Sequence, residues 1–205
     1  MKHLQDYPNG NLSDYILEFF PPGYQGWGID VGASDGISIN STYVLEKPHR
    51  WNILSVEANP YFAAMLKKER MFVEMCACSD KPGEAVFHIH EQNIESFSSL
   101  RPNVRQDKRL HPEEPMTWLK VDVRVETVDR LLAKWDFPQL DLICADTEGT
   151  ELDVLRGCDL RKWRPKVIVT ECWDKVGPID LYLEGLGYVK TGRNVDNDIY
   201  VRENS

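Results

Sequence analysis

The stretch GIDVGASDG, residues 28 to 36, brings two carboxylates and three glycines to one point of the chain. The glycines do not follow the GxGxxG spacing with which a dinucleotide fold approaches a pyrophosphate. Asp30 and Asp35 would repel a phosphate group, and they suit a ligand that carries an amino or cationic group. The stretch therefore indicates a binding loop for a ligand without phosphate, or a plain turn between a strand and a helix.

The next two strand ends extend this pattern. Glu57 ends the apolar run WNILSVE, where a carboxylate can accept hydrogen bonds from both hydroxyls of a ribose. Asp80, or a backbone group beside it, would receive the exocyclic amine of an adenine. S-adenosylmethionine matches this set, because it has an ammonium, a sulfonium, a ribose and an adenine but no phosphate. The predicted cofactor-binding residues are Asp30, Gly32, Ala33, Ser34, Asp35, Gly36, Glu57, Ala58, Asn59, Cys78, Ser79 and Asp80.

Acidic residues also follow the fourth and fifth predicted strands. ADTEGTE contains Asp146, Glu148 and Glu151, and VIVTE ends in Glu171. Carboxylates that meet at one mouth raise one another's pKa unless a substrate cation, a divalent metal or a shared proton lies among them. We therefore expect Asp146, Glu148 and Glu171 to be catalytic, with a divalent metal as an open possibility. Helix capping is the alternative for Glu148 and Glu151, since acids in a first turn stabilise a helix.

His88 and His90 fall on one face of the predicted strand AVFHIH. That spacing suits two metal ligands or a substrate wall. No third ligand is evident in the sequence, so an ordinary face of a hairpin is the favoured interpretation.

The elements that position these residues alternate between buried strands and helices. We predict a helix at 13–20 with Ser13 as its N-cap, and another at 37–45 after the glycine-containing loop. MFVEMCACSD reads as one strand. The predicted fold is α/β: a Rossmann-like, doubly wound sheet of about seven strands, with one antiparallel strand near the C-terminus and a hairpin and loop insertion after the third strand.

We expect a single domain over residues 1–205, opened by a helical segment at 1–22. The predicted insertion covers 84–125. Within it, Gln92 to Thr117 exceeds the usual length of a loop and is the predicted lid or substrate region.

Composition narrows the classes of partner. The 24 Lys and Arg residues against 33 Asp and Glu give a net charge of −9, which disfavours nucleic acid. The basic runs at Lys67 to Arg70 and Arg101 to Arg109 are interpreted as solvated faces. Five cysteines without a CxxC pair predict buried thiols in a reducing compartment. With no signal peptide and no apolar run of about 20 residues, we expect a soluble cytoplasmic protein whose partner is a small molecule or a glycan.

The motifs together resemble the FkbM-type methyltransferases. The resemblance rests on DVGASDG, VEANP, CACSD followed by Gly83, VETVDRLL, DTEGTE, VLRG and VIVTE, and it spans most of the chain to Glu171. It implies a Rossmann-like methyltransferase fold and S-adenosylmethionine-dependent O-methylation of a sugar or another small metabolite. This chain departs from the family pattern KxDVEGxE, because Cys144 stands in place of the lysine and Thr147 in place of the valine. Two alternatives stay open: a scaffold module that binds S-adenosylmethionine without catalysis, and an NAD-dependent oxidoreductase.

Overall fold

The computed structural model of the protein describes residues 12–38, 40–91, 98–101, 117–172, 177–194 and 196–203. Short runs of buried apolar residues, many of them β-branched, form the strands. The strands are β1 (Trp27–Val31), β2 (Asn52–Glu57), β3 (Phe72–Met75), β4 (Ala77–Cys78), β5 (Gly83–His90), β6 (Trp118–Glu126), β7 (Leu142–Ala145), β8 (Val167–Glu171), β9 (Tyr188–Asn194) and β10 (Asn197–Arg202).

The helices between these strands are short, and several begin at a polar side chain that accepts a backbone N–H. Asn40, Thr127 and Asp159 are N-caps of this kind. The helices are α1 (Leu12–Leu17), α2 (Ser41–Glu46), a 3-10 turn (Pro60–Phe62) leading into α3 (Ala63–Glu69), α4 (Val128–Lys134), α5 (Glu151–Arg156), α6 (Leu160–Trp163) and α7 (Pro178–Glu184). None of the helices in the described ranges is long and apolar enough to cross a bilayer.

Seven strands form the main sheet in the order β3-β2-β1-β7-β8-β10-β9. Every neighbouring pair is parallel except the two pairs that β10 makes with β8 and β9. The chain runs outward from β1 in one direction as far as β3 and then returns to β7 on the other side. The predicted doubly wound α/β sheet with one antiparallel strand near the C-terminus is thereby confirmed. Ligands of such sheets bind at the carboxyl edge where the strand order reverses, which here lies between β1 and β7.

The predicted third strand is divided in the structure. Its first part, β3, pairs with β2 in the main sheet, and its second part, β4, leaves to pair with β6. The insertion causes this division, because the antiparallel hairpin of β5 and β6 offers a new partner for Ala77 and Cys78. The predicted hairpin is therefore present, and it forms a second sheet in the order β4-β6-β5.

Apolar side chains cover both faces of the main sheet. On one face, Tyr15, Ile16, Leu45 and Trp51 pack against the sheet. On the other face, α4, α5 and α7 contribute a larger cluster that includes Val128, Leu131, Val154, Leu155 and Leu183. The sheet is thus held between helices, and the carboxyl ends of its strands are left for a ligand.

Three local predictions were wrong. Ser13 lies within α1 rather than at its cap, because its hydroxyl donates to the Ser41 carbonyl at 2.8 Å. The helix predicted at 37–45 begins only at Ser41, because residues 34 to 38 form turns. Arg70 is 4% exposed and not part of a solvated face, although Lys67 and Lys68 are exposed. Tertiary partners of Arg70, described below, account for its burial.

Candidate active site

A cavity of about 900 Å³ opens at the carboxyl edge of the main sheet. It lies at the ends of β1, β2, β7 and β8, where the strand order reverses. All of the predicted site residues line it except Gly36, Ser79 and Asp80. The other strand-end residues that the sequence singled out therefore lie around one cavity.

The loop after β1 is anchored to both neighbouring strands. The N–H groups of Gly32 and Ala33 donate to the Val56 carbonyl at 2.9 and 3.1 Å, and the Asp146 N–H donates to the Val31 carbonyl at 2.9 Å. Gly32 has φ +89°, and a Cβ there would lie 1.7 Å from the Asp146 carbonyl oxygen. Only glycine fits this position, for both reasons. The loop and the end of β7 are consequently a single packed unit.

Asp35 organises the turn that follows. One of its carboxylate oxygens accepts the N–H groups of Ile37 and Ser38 at 2.8 Å, and the other accepts the Ser38 hydroxyl at 2.6 Å. Partial burial acts in the opposite direction, but these hydrogen bonds lower the pKa of the Asp35 carboxyl below its ordinary value. Asp35 lines the cavity, yet its oxygens are engaged by its own turn.

Glu57 is buried at the end of β2 and faces the same cavity. Its two oxygens accept the N–H groups of Ser34 at 2.8 Å and Asn59 at 2.7 Å. Burial raises the pKa of the Glu57 carboxyl, although these amide hydrogen bonds oppose the shift. The amides fix the carboxylate in place, and each oxygen retains acceptor capacity for a hydroxyl group of a ligand.

The end of the third predicted strand contributes differently from the prediction. Cys76, Ala77 and Cys78 line the cavity, whereas Ser79 and Asp80 do not. Ser79 donates its N–H to the Glu126 carbonyl. The Ser79 carbonyl oxygen packs against Gly157, where an added Cβ would lie 2.3 Å from it. Asp80 is exposed. The structure thus brings Cys78 to the site and leaves Ser79 and Asp80 outside it.

Three carboxylates converge on the opposite side of the cavity. Asp146, Glu148 and Glu171 each place one oxygen within 4.8 Å of the others, close enough for a metal ion to be shared. Asp146 is accessible from the cavity, but protein atoms surround it. This burial, followed by the charges of Glu148 and Glu151, raises the pKa of the Asp146 carboxyl well above its ordinary value.

Glu151 has a structural role beside this cluster. One of its oxygens accepts the N–H groups of Thr147 and Gly149, both at 2.9 Å. These contacts hold the loop between β7 and α5, which fits the capping alternative for Glu151. Glu148 has φ +57° within the same loop and lines the cavity.

Three other residues singled out by the sequence, Cys144, His88 and His90, lie outside the carboxylate cluster. Cys144 lines the cavity beside Asp30, and burial raises the pKa of its thiol well above the ordinary value. His88 and His90 pack around the Trp118 ring, at 6.3 and 5.4 Å between centroids. Within the described residues, the clusters suited to a metal contain neither histidine.

Two parts of the cavity wall were not predicted. Asn194, Asp196 and Asn197, at the turn of the terminal hairpin, line the cavity, as do Leu12 and Ser13 from α1. The polar turn RNVDND was visible in the sequence, but its place beside Glu171 depends on the pairing of β10 with β8.

The predicted lid is described only at residues 98–101 and 117. Ser98 and Leu100 line the cavity, and the Ser99 hydroxyl donates to the Thr147 carbonyl at 3.0 Å. Arg101 forms an ion pair of 2.8 Å with Asp153. The other residues of Gln92 to Thr117 lie outside the described ranges.

This arrangement of a doubly wound sheet and an acidic cavity at its switch point is that of a Rossmann-like methyltransferase. Residues 30–190 match the model of the methyltransferase FkbM domain, so the chain belongs to this family. A crystal structure of methyltransferase FkbM from Methylobacillus flagellatus has the same fold, with 14% identity and a TM-score of 0.55. The match covers 87% of this chain and 44% of that one, so this chain spans less than half of that protein's length.

The N-terminal domain of human METTL16, solved in complex with SAH, is a more distant structural match. Its TM-score is 0.49 at 11% identity, over 94% of this chain and 67% of that one. No curated protein sequence matches the chain.

Proposed function

We propose that this chain is an S-adenosylmethionine-dependent methyltransferase that methylates a hydroxyl oxygen of a sugar, a glycan or another small metabolite. One observation carries the proposal: the three strand ends suited to the cofactor and the carboxylate cluster line one continuous cavity. A cofactor at the strand ends would therefore face the cluster across the same space. Membership of the FkbM methyltransferase family supports this assignment.

The residues present fit the cofactor. Asp30 and the loop to Gly36 would hold the amino-acid tail, Glu57 would accept the ribose hydroxyls, and Cys78 would lie beside the adenine. In the described residues that line the cavity there is no Lys, Arg or His, as expected for a ligand without phosphate. The NAD-dependent alternative is disfavoured by the missing GxGxxG spacing and by Asp30 and Asp35, which would repel a pyrophosphate at this loop.

S-adenosylmethionine supplies a methyl group activated by its sulfonium. The protein's task is to hold the acceptor oxygen in line with that methyl and to take up the hydroxyl proton as the carbon–oxygen bond forms and the carbon–sulfur bond breaks. Asp146 is the proposed base, because it is accessible from the cavity and its raised pKa makes it a stronger proton acceptor than an ordinary carboxylate. Glu148 and Glu171 are the next candidates.

A divalent ion shared by Asp146, Glu148 and Glu171 is a second version of this chemistry. Such an ion would lower the pKa of an acceptor hydroxyl and offset the repulsion among the carboxylates. Turnover measured in excess EDTA distinguishes the versions. Full turnover would exclude the metal, whereas a loss that Mg²⁺ or Mn²⁺ restores would support it.

Two measurements test the proposal. Calorimetry with S-adenosylmethionine, S-adenosylhomocysteine and NAD is expected to show binding of the first two and none of NAD. Transfer of labelled methyl to a panel of glycans, glycosides and nucleotide sugars then separates an enzyme from a non-catalytic scaffold. Binding without transfer to any acceptor would favour the scaffold alternative.

The proposal includes a cytoplasmic location and a small-molecule or glycan acceptor, with no nucleic acid partner. The five cysteines support the location, because all five are buried thiols, as expected in a reducing compartment.

A further inference from the structure

Arg70 follows α3 and is buried beneath the loop after β1. Its Nε donates to Glu46 at 2.7 Å, and one terminal nitrogen donates to the Gly36 carbonyl at 3.1 Å and to Asn40 at 3.2 Å. The other terminal nitrogen donates to the Thr42 hydroxyl at 2.8 Å. One guanidinium thus joins four points on the loop and on α2, and Arg70 does not itself line the cavity.

The hydrogen bonds that Arg70 donates to Thr42 and Asn40 influence which atoms of these two side chains face Asp30. The Thr42 oxygen accepts from Arg70, and its single proton has two acceptors within reach, Asp30 Oδ2 at 2.6 Å and Asn40 Oδ1 at 2.8 Å. Because Asn40 Oδ1 already accepts from Arg70 and from the Tyr43 N–H, the shorter contact with the Asp30 carboxylate is favoured. The Asn40 oxygen likewise accepts from Arg70 and from the Tyr43 N–H, which turns its amide nitrogen toward Asp30 Oδ2 at 2.9 Å. Arg70 thereby fixes the donors on both side chains that hold Asp30.

These contacts leave one side of Asp30 for a ligand. Within the part of the chain that the structure describes, the hydrogen bonds to Asp30 and its 3.9 Å ion pair with Arg70 all fall on Oδ2. Asp30 lines the cavity, so Oδ1 is the oxygen available to a bound group. Its orientation depends on Arg70 through Thr42 and Asn40.

Lysine cannot reproduce this arrangement. The fork of the guanidinium sends separate donors to Glu46, Gly36, Asn40 and Thr42, whereas an ammonium is a single point on a flexible stem. Two carboxylates face the Arg70 guanidinium, Glu46 at 2.7 Å and Asp30 at 3.9 Å, and Lys47 lies 3.2 Å from the second oxygen of Glu46, which also accepts the Met71 N–H. Arg70 therefore acts through geometry as well as through charge.

We propose that Arg70 is a positioning residue for the amino-acid tail of the cofactor: it orients Asp30 and the carbonyl end of the loop without touching the ligand. This inference rests on the proposed function, since it assumes that Asp30 meets the tail of S-adenosylmethionine. Glu57, at the ribose end, is held by the N–H groups of Ser34 and Asn59, and Arg70 contacts neither of these residues. Removal of Arg70 should therefore weaken recognition of the tail and spare recognition of the nucleoside.

Calorimetry with two ligands measures recognition of the amino-acid tail and recognition of the nucleoside separately. S-adenosylhomocysteine has the amino-acid tail, and 5′-deoxy-5′-methylthioadenosine keeps the adenosine and thioether but lacks the tail. In Arg70→Met and Arg70→Lys we expect the Kd for S-adenosylhomocysteine to rise by about tenfold or more and the Kd for methylthioadenosine to change by less than about threefold. An equal loss for both ligands, or an unchanged Kd for S-adenosylhomocysteine in either variant, would overturn the proposal.

Two further variants keep the result interpretable. Thr42→Val removes only the hydroxyl that links Arg70 to Asp30, at nearly constant volume, and it should show the same selective loss even if the Arg70 variants do not fold. Arg202→Met is the matched control, because Arg202 donates to the Arg164 carbonyl at 2.8 Å beyond the opposite end of the sheet. It should leave both Kd values unchanged.

The wild type separates this proposal from the broader one. If wild-type protein fails to bind S-adenosylhomocysteine, the proposed cofactor is wrong. If it binds and the variants bind as well as the wild type, only the role of Arg70 is wrong.

Discussion

Gly32 and Asp146 meet backbone to backbone: a Cβ on Gly32 would lie 1.7 Å from the Asp146 carbonyl oxygen. This contact joins the loop after β1 to the end of β7, so the proposed cofactor-binding side and the proposed catalytic side of the cavity are packed against each other. A change at Gly32 must displace the proposed base as well as the loop.

Gly32→Ala should destabilise the protein by about 3 kcal/mol or more, because it adds a steric clash to the strain of a positive φ. Gly23→Ala is the matched control. Gly23 also has a positive φ, +77°, but a Cβ there would meet no atom within 4 Å, so we expect a cost of only about 1 kcal/mol. Urea denaturation measures both. Equal losses in the two variants would show that the contact with Asp146 contributes nothing.

Asp146→Asn should bind S-adenosylmethionine and lose at least about 100-fold in turnover, the scale of a missing general base. Wild-type activity should rise with pH as Asp146 deprotonates, with an apparent pKa above that of an ordinary carboxyl group. A pH–rate profile and calorimetry check these expectations. Near-normal turnover in the asparagine variant would exclude Asp146 as the base.

The same substitution should stabilise the protein at neutral pH. Because the folded state raises the pKa of Asp146, ionisation costs stability, and the wild type loses that stability as pH rises from the ordinary aspartate pKa to the raised one. Asp146→Asn has no ionisable group at this position, so it does not lose stability as the pH rises. With solvent screening we expect about 1 kcal/mol, or about 2–4 °C in Tm, at pH 7 and no difference near pH 3. A variant less stable than the wild type at pH 7 would contradict the repulsion.

Glu57→Gln should raise the Kd for S-adenosylmethionine by about tenfold or more, because a neutral amide is a weaker acceptor and turns an NH₂ toward Ser34 or Asn59. Calorimetry measures the change. The control is Glu74→Gln, at a glutamate that is also buried but lies outside the cavity, paired with Arg124 and Lys134. It should leave the Kd unchanged.

Glu74→Gln should instead lower stability with a defined pH dependence. Burial opposes the shift, but hydrogen bonds from Lys134 and Arg124 lower the pKa of the Glu74 carboxyl. The ionised Glu74 carboxylate therefore stabilises the folded state at pH values above the ordinary glutamate pKa, and this stabilisation is lost as the pH falls through the lowered pKa. Thermal unfolding should show a deficit at pH 7 that begins to shrink near the ordinary glutamate pKa of about 4.3 and vanishes only when the pH is below the lowered pKa. A deficit that persists at acid pH would point to packing instead.

The charge of the cavity predicts its acceptors. Its lining in the described ranges contains seven carboxylates and no basic side chain: Asp30, Asp35, Glu57, Asp146, Glu148, Glu171 and Asp196. We expect kcat/KM for a hydroxyl acceptor to be at least about tenfold higher than for its phosphorylated counterpart, because the phosphate meets only like charge. A phosphorylated acceptor that reacts equally well would contradict this.

Asn197→Lys sharpens that test by adding a cation to the cavity wall. It should raise kcat/KM for the phosphorylated acceptor. Val189→Lys adds the same charge at an exposed position of the same hairpin, outside the cavity, and should leave the ratio unchanged.

The fold was readable because its strands are buried on both faces and end at recognisable polar residues. WGIDV and the run to Glu57 could be assigned with their correct ends for this reason. Asp80 was misplaced because β4 leaves the main sheet for a partner more than 40 residues later, a pairing that no local pattern specifies. Arg70 was misjudged because its burial depends on Glu46 and Thr42, which precede it by 24 and 28 residues. The local sequence thus indicated which polar residues end each strand, but not which distant residues pair or form hydrogen bonds with them.

The position of β10 has a consequence for the order of assembly. It lies between β8 and β9 in the sheet but follows both in the chain, and β9 pairs only with β10 among the described strands. A nascent chain that has reached Asn194 can pair the five parallel strands, but it lacks the wall that Asn197 supplies. The five parallel strands can therefore pair before the wall of the pocket exists, whereas the wall requires β10 to insert between β8 and β9. Ligand binding thus depends on a later pairing step than the one that forms the floor of the pocket.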